Sequence, residues 1–305
     1  MTDELAMEEY TQMKNTRYNR KRARNIRRAK IMILFITVAI IVVITSGILA
    51  EKIFIQNNAI ASEAEESENE SDKLGNNVAD DVAFVEKYLN QQENGQMPDG
   101  ADGKKVVYLT FDDGPSETVT PQILDILKEE NVKATFFIVG HALEKSDVAK
   151  EILKRESEEG HSIGNHTYSH NYKYLYPNKT VSVDNFMSDI EKTNSAIREV
   201  LGEDFSVRAI RFPGGHMTWK GTKALDEVLW AKDYHYVDWN SLSKDSEGKS
   251  KNADQLFEQV IETAKGREKA VVLMHDNYGK EETAKALPKI IEYFKEQGYE
   301  FRTMK

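Results

Sequence analysis

The chain has 305 residues, of which 40% are hydrophobic, and it contains no cysteine. This composition supports one large globular domain with attached segments, and it excludes a small scaffold held together by disulfides. The net charge of −10 hides two opposite segments: residues 14–30 carry nine basic and no acidic side chains, whereas residues 63–72 carry six acidic and no basic ones.

The N-terminal segment predicts a membrane anchor. Residues 31–50 contain no charged side chain, and a helix of that length matches a hydrocarbon core about 30 Å thick. The alternative is a cleaved signal peptide, although such peptides have apolar regions of only roughly 7 to 15 residues. The basic residues 1–30 are expected to stay in the cytoplasm, which places the rest of the chain outside the cell. Their position beside the apolar segment favours this interpretation over nucleic-acid binding.

Residues 51–103 are predicted to form a flexible, disordered acidic linker. They are rich in Asn, Glu, Ser, Asp and Gly, and they cannot bury enough apolar surface to offset the entropy of the chain. One piece of this segment, residues 78–91, places Val82, Val85 and Leu89 at helical spacing. It is expected either to dock on the domain or to remain loose.

Residues 104–305 predict an α/β domain, because short β-rich runs alternate with amphipathic helical patterns, the order that builds a parallel sheet. Seven strands and six intervening helices suggest a barrel-like closure, although an open doubly wound sheet has the same element order. The predicted strands are residues 106–110, 134–139, 162–165, 209–212, 234–238, 271–275 and 299–303, and the predicted helices are residues 120–130, 147–159, 184–200, 222–232, 253–265 and 283–297.

Five polar clusters lie at or just beyond the carboxyl ends of predicted strands, where parallel α/β folds build their active sites. The first contains the adjacent Asp112 and Asp113, whose repulsion and desolvation disfavour a purely structural use; the alternative is a solvated Asp-Gly-Pro turn. The second contains His166 and His170. On a helical turn these would face the same way and, with one carboxylate, form a three-ligand zinc site. A solvated histidine pair in a loop is the simpler alternative.

The other three clusters supply a cation, aromatic surface and a further imidazole. Arg211 could hold a carboxylate in place, and the Pro-Gly-Gly turn after it leaves backbone N–H groups free to face an oxyanion. Asp238 and Trp239 lie at the end of another predicted strand. A tryptophan there is more often part of the core than a platform for a sugar. His275 is placed to protonate a leaving group, unless it is a satisfied buried imidazole.

In this order, the five clusters resemble the five motifs of the polysaccharide deacetylases with the NodB homology domain, carbohydrate esterase family 4. The resemblance covers residues 104–305. It implies a distorted (β/α) barrel with about seven strands and the hydrolysis of N-acetyl groups on amino sugars. The matching segments are Thr110-Phe-Asp-Asp-Gly, His166-x-x-x-His170, Arg211-x-Pro, Asp238-Trp239 and Leu273-x-His275.

The resemblance also assigns roles to the first two clusters and to the arginine. Asp113, His166 and His170 would hold a divalent metal, expected to be Zn²⁺, which polarises the acetyl carbonyl and acidifies a water. Asp112 would be the general base. Arg211 would orient Asp112, lower its pKa and keep it ionised.

The remaining roles concern the leaving group and the acetyl pocket. His275 would be the general acid, with Asp238 keeping its imidazole charged and aligned. The backbone N–H of Gly214 would stabilise the oxyanion, and Trp239 and Leu273 would form an apolar wall around the acetyl methyl. Many family members have an aromatic residue after Arg-x-Pro, where this sequence has two glycines, so the wall that faces the sugar departs from the family pattern.

The expected anchor places the domain near the cell wall, which favours N-acetylglucosamine in peptidoglycan as the substrate. N-acetylmuramic acid, chitin-like oligosaccharides, exopolysaccharide and acetylated xylan are alternatives. An inactive glycan-binding module would lack a metal ligand, the base or the acid, and all of them are present. A two-metal phosphoesterase would need a second ligand set, which is not evident. The expected partners are the polysaccharide and, through the N-terminal helix, the membrane, without nucleic acid.

Overall fold

The computed structural model describes Met32 and residues 79–305. The predicted cytoplasmic tail, the predicted anchor apart from Met32, and residues 51–78 of the predicted linker lie outside the described residues. Within the described part of the chain, no helix is both long enough and apolar enough to span a bilayer.

The helices and strands alternate as the sequence predicts. The strands are β1 (Ala79–Asp80), β2 (Val106–Asp112), β3 (Thr135–Ile138), β4 (Ser162–Asn165), β5 (Ala209–Ile210), β6 (His235–Tyr236), β7 (Ser241–Leu242), β8 (Lys269–His275), β9 (Glu300–Phe301) and β10 (Thr303–Met304). The helices are α1 (Val82–Glu93), α2 (Thr120–Glu129), α3 (Asp147–Glu158), α4 (Tyr172–Leu175), α5 (Val183–Leu201), α6 (Thr222–Ala231), α7 (Ala253–Ala264) and α8 (Glu281–Glu296).

All six predicted helices are present, with ends within two residues of the predicted ones. Side-chain caps explain two of the starts. The Ser146 side chain accepts a hydrogen bond from the backbone of Ala149 at the start of α3, and Asn252 and Gln255 form a capping box at the start of α7. Several strands are shorter than predicted, and β1 and β7 have no predicted counterpart.

Seven strands form a curled parallel sheet in the order β6-β5-β4-β3-β2-β8-β7, and β9 pairs beside the start of β2. From β2 to β6, strands that are consecutive in the chain are neighbours in the sheet. On the other side of β2 lies β8, followed by β7 at the edge. This is the winding of a barrel opened between β6 and β7, since a doubly wound sheet would reverse direction at a switch point. The sheet is therefore a half barrel, in agreement with the predicted barrel-like architecture.

The central strand β2 positions the first functional carboxylate. It is buried along its whole length, because helices cover one face of the sheet and the curl encloses the other. Leu109 and Phe111 belong to the large core beneath the helices, whereas Val106 and Tyr108 belong to a second core. Side chains alternate along a strand, so Asp112 points to the same side as Tyr108, into the curl of the sheet.

The structure corrects the boundary of the predicted linker, because residues 79–103 belong to the folded domain. In α1, Val82, Val85 and Leu89 are buried in the core cluster that contains Tyr108. Asp81 caps the helix by accepting a hydrogen bond from the backbone of Ala83 at 2.9 Å. The apolar spacing therefore outweighs the polar composition of this segment.

A fragment beginning at Gly103 is therefore expected to be less stable than one beginning at Ser71. Loss of the buried face of α1 exposes apolar surface on both sides of the contact, and we expect a decrease of about 2–4 kcal/mol in the free energy of unfolding, or roughly 5–15 °C in Tm. Thermal unfolding of the two fragments measures the difference. Equal Tm values would show that α1 contributes nothing to the stability of the domain.

Candidate active site

The three predicted metal ligands converge at the carboxyl ends of β2 and β4. Asp113 Oδ1 lies 3.2 Å from His170 Nε2 and 3.5 Å from His166 Nε2. The candidate ligand atoms of the three residues all lie within 4.8 Å of one another. One carboxylate and two imidazoles form a donor set that suits zinc and other divalent transition metals.

The hydrogen bonds around these residues leave the ligand atoms free. His166 Nδ1 donates to the backbone carbonyl of Arg211 at 2.8 Å, which leaves the lone pair of Nε2 free to bind a metal. Burial lowers the pKa of His166 to about 3, so the ring is neutral. Asp113 Oδ2 accepts from Asn277 Nδ2 at 3.2 Å, whereas the buried Oδ1 has no hydrogen-bond partner within the described residues. A buried carboxylate oxygen without a partner is costly unless a cation compensates it, so the three residues fit a metal.

The turn that carries the two histidines differs from the predicted helical turn. Residues 166–171 are irregular, and Thr167 and His170 have φ values of 67° and 48°, in the left-handed region that few non-glycine residues adopt. Two hydrogen bonds support this backbone: Thr167 N donates to Asn165 Oδ1 at 2.8 Å, and His170 N donates to Thr167 Oγ1 at 3.2 Å. Asp113 also has a positive φ, of 76°. This backbone conformation lets the Asp113 side chain line the same cavity as the side chain of Asp112.

Asp112 lies beside the ligand set and is buried against Arg211. Arg211 Nη1 donates to Asp112 Oδ1 at 2.9 Å and to Thr110 Oγ1 at 2.6 Å. The guanidinium also donates to the backbone carbonyls of Val237 at 2.8 Å and Asp238 at 3.2 Å. These bonds fix both side chains, so the predicted orientation of Asp112 by the arginine is present in the structure.

The predicted effect of Arg211 on acidity is only partly correct. Burial raises the pKa of Asp112, and the positive charges of Arg211 and His275 oppose this increase without reversing it. A higher pKa makes the carboxylate a stronger base.

The structure corrects the predicted partner of His275. The family resemblance implies Asp238 in this role, but His275 Nδ1 donates to Asp245 Oδ1 at 2.7 Å and its backbone N–H donates to Asp245 Oδ2 at 2.9 Å. Thr283 Oγ1 also donates to this carboxylate, at 2.8 Å. Burial alone would lower the pKa of His275, but the hydrogen bond and charge of Asp245 outweigh it and raise this pKa to about 9. No local pattern marks Asp245 in the sequence, because it lies in the loop after β7.

Asp238 instead supports the turn that follows Arg211. Its carboxylate oxygens accept hydrogen bonds from the backbone of His216 at 3.0 and 3.1 Å. Gly214 and Gly215, which come directly before His216, have φ values of 79° and 83°, and these values favour glycine at both positions. The backbone N–H of Gly214 donates to no group among residues 79–305, so this amide is available to an oxyanion.

A cavity of about 260 Å³ brings the site together. Eight of the ten predicted site residues line it, and the other two, Arg211 and Asp238, do not. The structure adds six lining residues that are not among the predicted site residues: Tyr172, Leu242, Lys244, Asp245, Ser246 and Glu247.

The structure also shows what stands where many family members have an aromatic residue after Arg-x-Pro. A Cβ atom on Gly214 would lie 3.3 Å from both the hydroxyl oxygen of Tyr172 and the ring of Trp219. The Tyr172 ring centroid is 5.4 Å from the ring centroids of both His170 and Trp219. Aromatic surface is therefore supplied here by Tyr172, the first residue of α4, and by Trp219, which follows Gly214 in the same segment.

The ligand assignment predicts a clear effect on metal binding. His170→Ala is expected to weaken zinc binding by more than about 100-fold, because the change removes one of three protein donors. Competition with a chromophoric chelator measures the affinity. His141→Ala is the matched control, since this histidine bonds to the Tyr168 carbonyl at 3.0 Å and belongs to no ligand set in the described part of the chain. Equal affinities in the two variants would contradict the assignment.

Comparison with known proteins shows to which family this chain belongs. Residues 99–229 match the family model described as polysaccharide deacetylase. A Bacillus cereus protein named peptidoglycan-N-acetylglucosamine deacetylase is 37% identical over 227 residues, which cover 73% of this chain and 73% of that protein.

Two solved structures extend the similarity to the fold. A Streptococcus mutans CE4 esterase has a TM-score of 0.67 and 36% identity, with 74% of this chain and 92% of that chain covered. The catalytic domain of peptidoglycan N-acetylglucosamine deacetylase from Eubacterium rectale has a TM-score of 0.58 and 32% identity, with 67% and 90% covered.

The half barrel, the catalytic cavity and these similarities define an enzyme, a hydrolase that acts on N-acetyl amide bonds. The chain belongs to the polysaccharide deacetylase family.

Proposed function

We propose that this enzyme removes the acetyl group from N-acetylglucosamine residues of peptidoglycan, with a divalent metal, expected to be Zn²⁺, held by Asp113, His166 and His170. The convergence of these ligands with a buried carboxylate and a protonated imidazole in one cavity carries the proposal. The names of the relatives from Bacillus cereus and Eubacterium rectale support the choice of sugar and polymer.

The chain supplies a base for the attack of water. Asp112 takes a proton from the water as the water oxygen bonds to the acetyl carbon, and Arg211 holds the carboxylate in place at 2.9 Å. When bound, the metal supplies a Lewis acid that polarises the carbonyl and promotes deprotonation of water. The free N–H of Gly214 donates to the oxygen that becomes negative, while Trp239 and Leu273 provide apolar surface for the methyl group.

The chain also supplies an acid for the departure of the amine. Because His275 Nδ1 is bonded to Asp245, Nε2 is the atom that can donate a proton to the amide nitrogen. As the carbon–nitrogen bond breaks, the sugar leaves as the free amine and acetate remains. With a pKa of about 9, His275 is protonated at neutral pH and can perform this step.

Acetate release from purified peptidoglycan tests the proposal. Release is expected from the native chain, should stop with a chelator, and should be absent in Asp113→Ala. Mass analysis of the digested glycan then shows whether N-acetylglucosamine or N-acetylmuramic acid has lost its acetyl group. No release by folded, zinc-loaded protein, together with release from chitin oligosaccharides or acetylated xylan, would reject peptidoglycan as the substrate.

We further propose that residues 31–50 anchor the enzyme in the cell membrane as a single pass, with the N-terminus in the cytoplasm and the catalytic domain outside. The uncharged sequence of this segment and the basic residues before it support this orientation. Protease treatment of intact cells is expected to degrade the catalytic domain, and the intact chain is expected in the membrane fraction. A soluble, shortened chain in the medium would instead support a cleaved signal peptide.

A further inference from the structure

The oxyanion donor of the proposed reaction, the N–H of Gly214, lies in a turn with two adjacent glycines. Gly214 and Gly215 both have a positive φ. Glycine restricts the backbone less than any other residue, whereas an oxyanion donor stabilises the transition state only when its direction is fixed in advance. A donor in such a turn therefore needs contacts that hold the turn from outside, and His216 makes them.

His216 is anchored through both its backbone and its side chain. Its backbone N–H donates to the two carboxylate oxygens of Asp238, at 3.0 and 3.1 Å. Its Nε2 donates to Oδ1 of Asp226, in α6, at 2.9 Å. Both side chains of this second pair are buried. A buried polar pair contributes little net stability compared with apolar side chains of similar volume, but it fixes the direction of the groups that it joins.

The aromatic neighbours of His216 and its bond to Asp226 fix different degrees of freedom of the ring. The ring stacks on that of Tyr236, in β6, with a centroid distance of 3.9 Å and an interplanar angle of 1°. Its edge contacts Phe212, at a centroid distance of 5.0 Å. Stacking sets the plane of the ring, and the bond to Asp226 sets its rotation within that plane. A phenyl ring could reproduce the packing but not the hydrogen bond.

Side chains within the turn supply bonds that are more local. Thr218 Oγ1 donates to the carbonyl of Gly214 at 2.7 Å, and Trp219 Nε1 donates to the carbonyl of Pro213 at 2.9 Å. These bonds join residues only 4 and 6 positions apart, so they shape the turn without attaching it to the rest of the domain. The bonds of His216 reach 10 and 22 positions along the chain, and they attach the turn to α6 and to the end of β6.

We propose that His216, through its bond to Asp226, is a positioning residue that directs the N–H of Gly214 toward the oxyanion. The inference rests on the proposed function, since it takes this N–H as a donor during amide hydrolysis. The oxyanion develops only as water attacks the acetyl carbon. Loss of the bond therefore slows the chemical step and leaves substrate binding nearly unchanged.

The test measures kcat and KM of the full, zinc-loaded chain for acetate release from tetra-N-acetylchitotetraose. His216→Phe keeps an aromatic ring beside Tyr236 and removes the bond to Asp226. We expect kcat to fall about fivefold to twentyfold, which is part of the roughly 10²–10³-fold loss caused by complete removal of an oxyanion donor. KM is expected to stay within about twofold of the native value.

Variants of Asp226 show whether the hydrogen bond carries the effect. Asp226→Asn retains an oxygen that can accept from His216 Nε2, so this conservative variant is expected to have a kcat within about twofold of native. Asp226→Leu removes the acceptor, and its kcat is expected to fall as much as that of His216→Phe. Because the two residues act as a unit, the double variant is expected to lose no more kcat than either single variant.

The double variant also separates positioning from stability. Each single variant leaves a buried polar group without its partner, which lowers Tm. With Phe at 216 and Leu at 226 both groups are apolar, so much of the lost Tm is expected to return while kcat stays low. Recovery of kcat together with Tm would overturn the inference, because packing alone would then suffice to hold the turn.

His161→Phe is the matched control. This histidine is also buried, its Nδ1 accepts from the backbone of Ala134 at 3.1 Å, and its ring packs against Phe136 at a centroid distance of 5.3 Å. It does not line the catalytic cavity. We expect a lower Tm with a native kcat, since this change destabilises the domain without contacting the turn.

The possible results separate the inference from the proposed function. A native kcat in folded His216→Phe would overturn the inference alone, and so would an equal loss of kcat in His161→Phe. No deacetylation of any glycan by the zinc-loaded native chain would instead reject the proposed function, and the inference with it.

Discussion

Asp112→Asn is expected to lower kcat for acetate release by roughly 10²–10⁴-fold, the contribution of a positioned general base. Asparagine has nearly the same shape, and its oxygen can still accept the hydrogen bond that Arg211 donates at 2.9 Å. It cannot take a proton from water. KM is expected to change much less than kcat, because the substitution removes a group that acts during the chemical step.

The same substitution also affects stability, and the experiment must separate the two effects. Arg211 is fully buried, and removal of its carboxylate partner leaves a buried charge, which costs about 3–5 kcal/mol when nothing replaces the partner. Thr110→Val is the control, since it removes another hydrogen bond of this arginine and leaves the base intact. For Thr110→Val we expect a lower free energy of unfolding but a kcat within a few fold of the native value. A kcat for folded Asp112→Asn within tenfold of native would exclude Asp112 as the base.

Asp245→Asn is expected to shift the alkaline limb of the pH–activity profile downward. In the native enzyme His275 has a pKa of about 9, so the general acid is protonated below this pH and activity falls above it. Without the charge of Asp245 the pKa returns toward its usual value of about 6.5 or lower, because burial remains. If the pKa falls to about 6.5, kcat/KM at pH 8 decreases by about 30-fold.

Asp238→Asn is the matched control for this prediction. Asp238 accepts from the backbone of His216, and an amide oxygen can retain one of those bonds. The alkaline limb is expected to stay at its native position, whatever happens to the maximal rate. If Asp238→Asn shifts the limb and Asp245→Asn does not, the pairing seen in the structure is not the one that operates during catalysis.

The same pair predicts a pH dependence of stability. The folded pKa of His275 lies above its unfolded value, so the pair contributes stability that is fully present below about pH 6.5 and is lost as the pH rises through about 9. Urea unfolding of the native chain between these pH values is expected to show a decrease that is much smaller in Asp245→Asn. Parallel pH profiles for the two proteins would contradict this linkage.

The sequence was most informative where the chemistry of the site is local. Asp112 and Asp113 are adjacent at the end of an apolar strand, and His166 and His170 follow the next strand but one. Because the carboxyl ends of parallel strands meet at one edge, these groups converge without any knowledge of the packing. Helix positions were also predictable, since amphipathic periodicity extends over many residues.

The sequence was misleading where composition and packing disagree. Residues 79–103 are polar on average, but three apolar side chains of α1 at helical spacing are buried in the domain. A compositional average does not show which face of a helix is covered. The two-residue strand β7 was not predicted because it is too short to have a periodic pattern.

By itself, the sequence predicted six of the helices and their alternation with strands, and its resemblance to the polysaccharide deacetylases assigned the candidate metal ligands, the candidate base and its arginine, because each depends on a pattern within a few residues. Only the tertiary structure decided that Asp245, rather than Asp238, is the partner of His275, and that α1 bridges β6 and the start of β7. Those contacts join residues that are 30, 146 and 148 positions apart in the sequence. The loops between these segments fix which groups meet, and their paths depend on how the whole sheet curls.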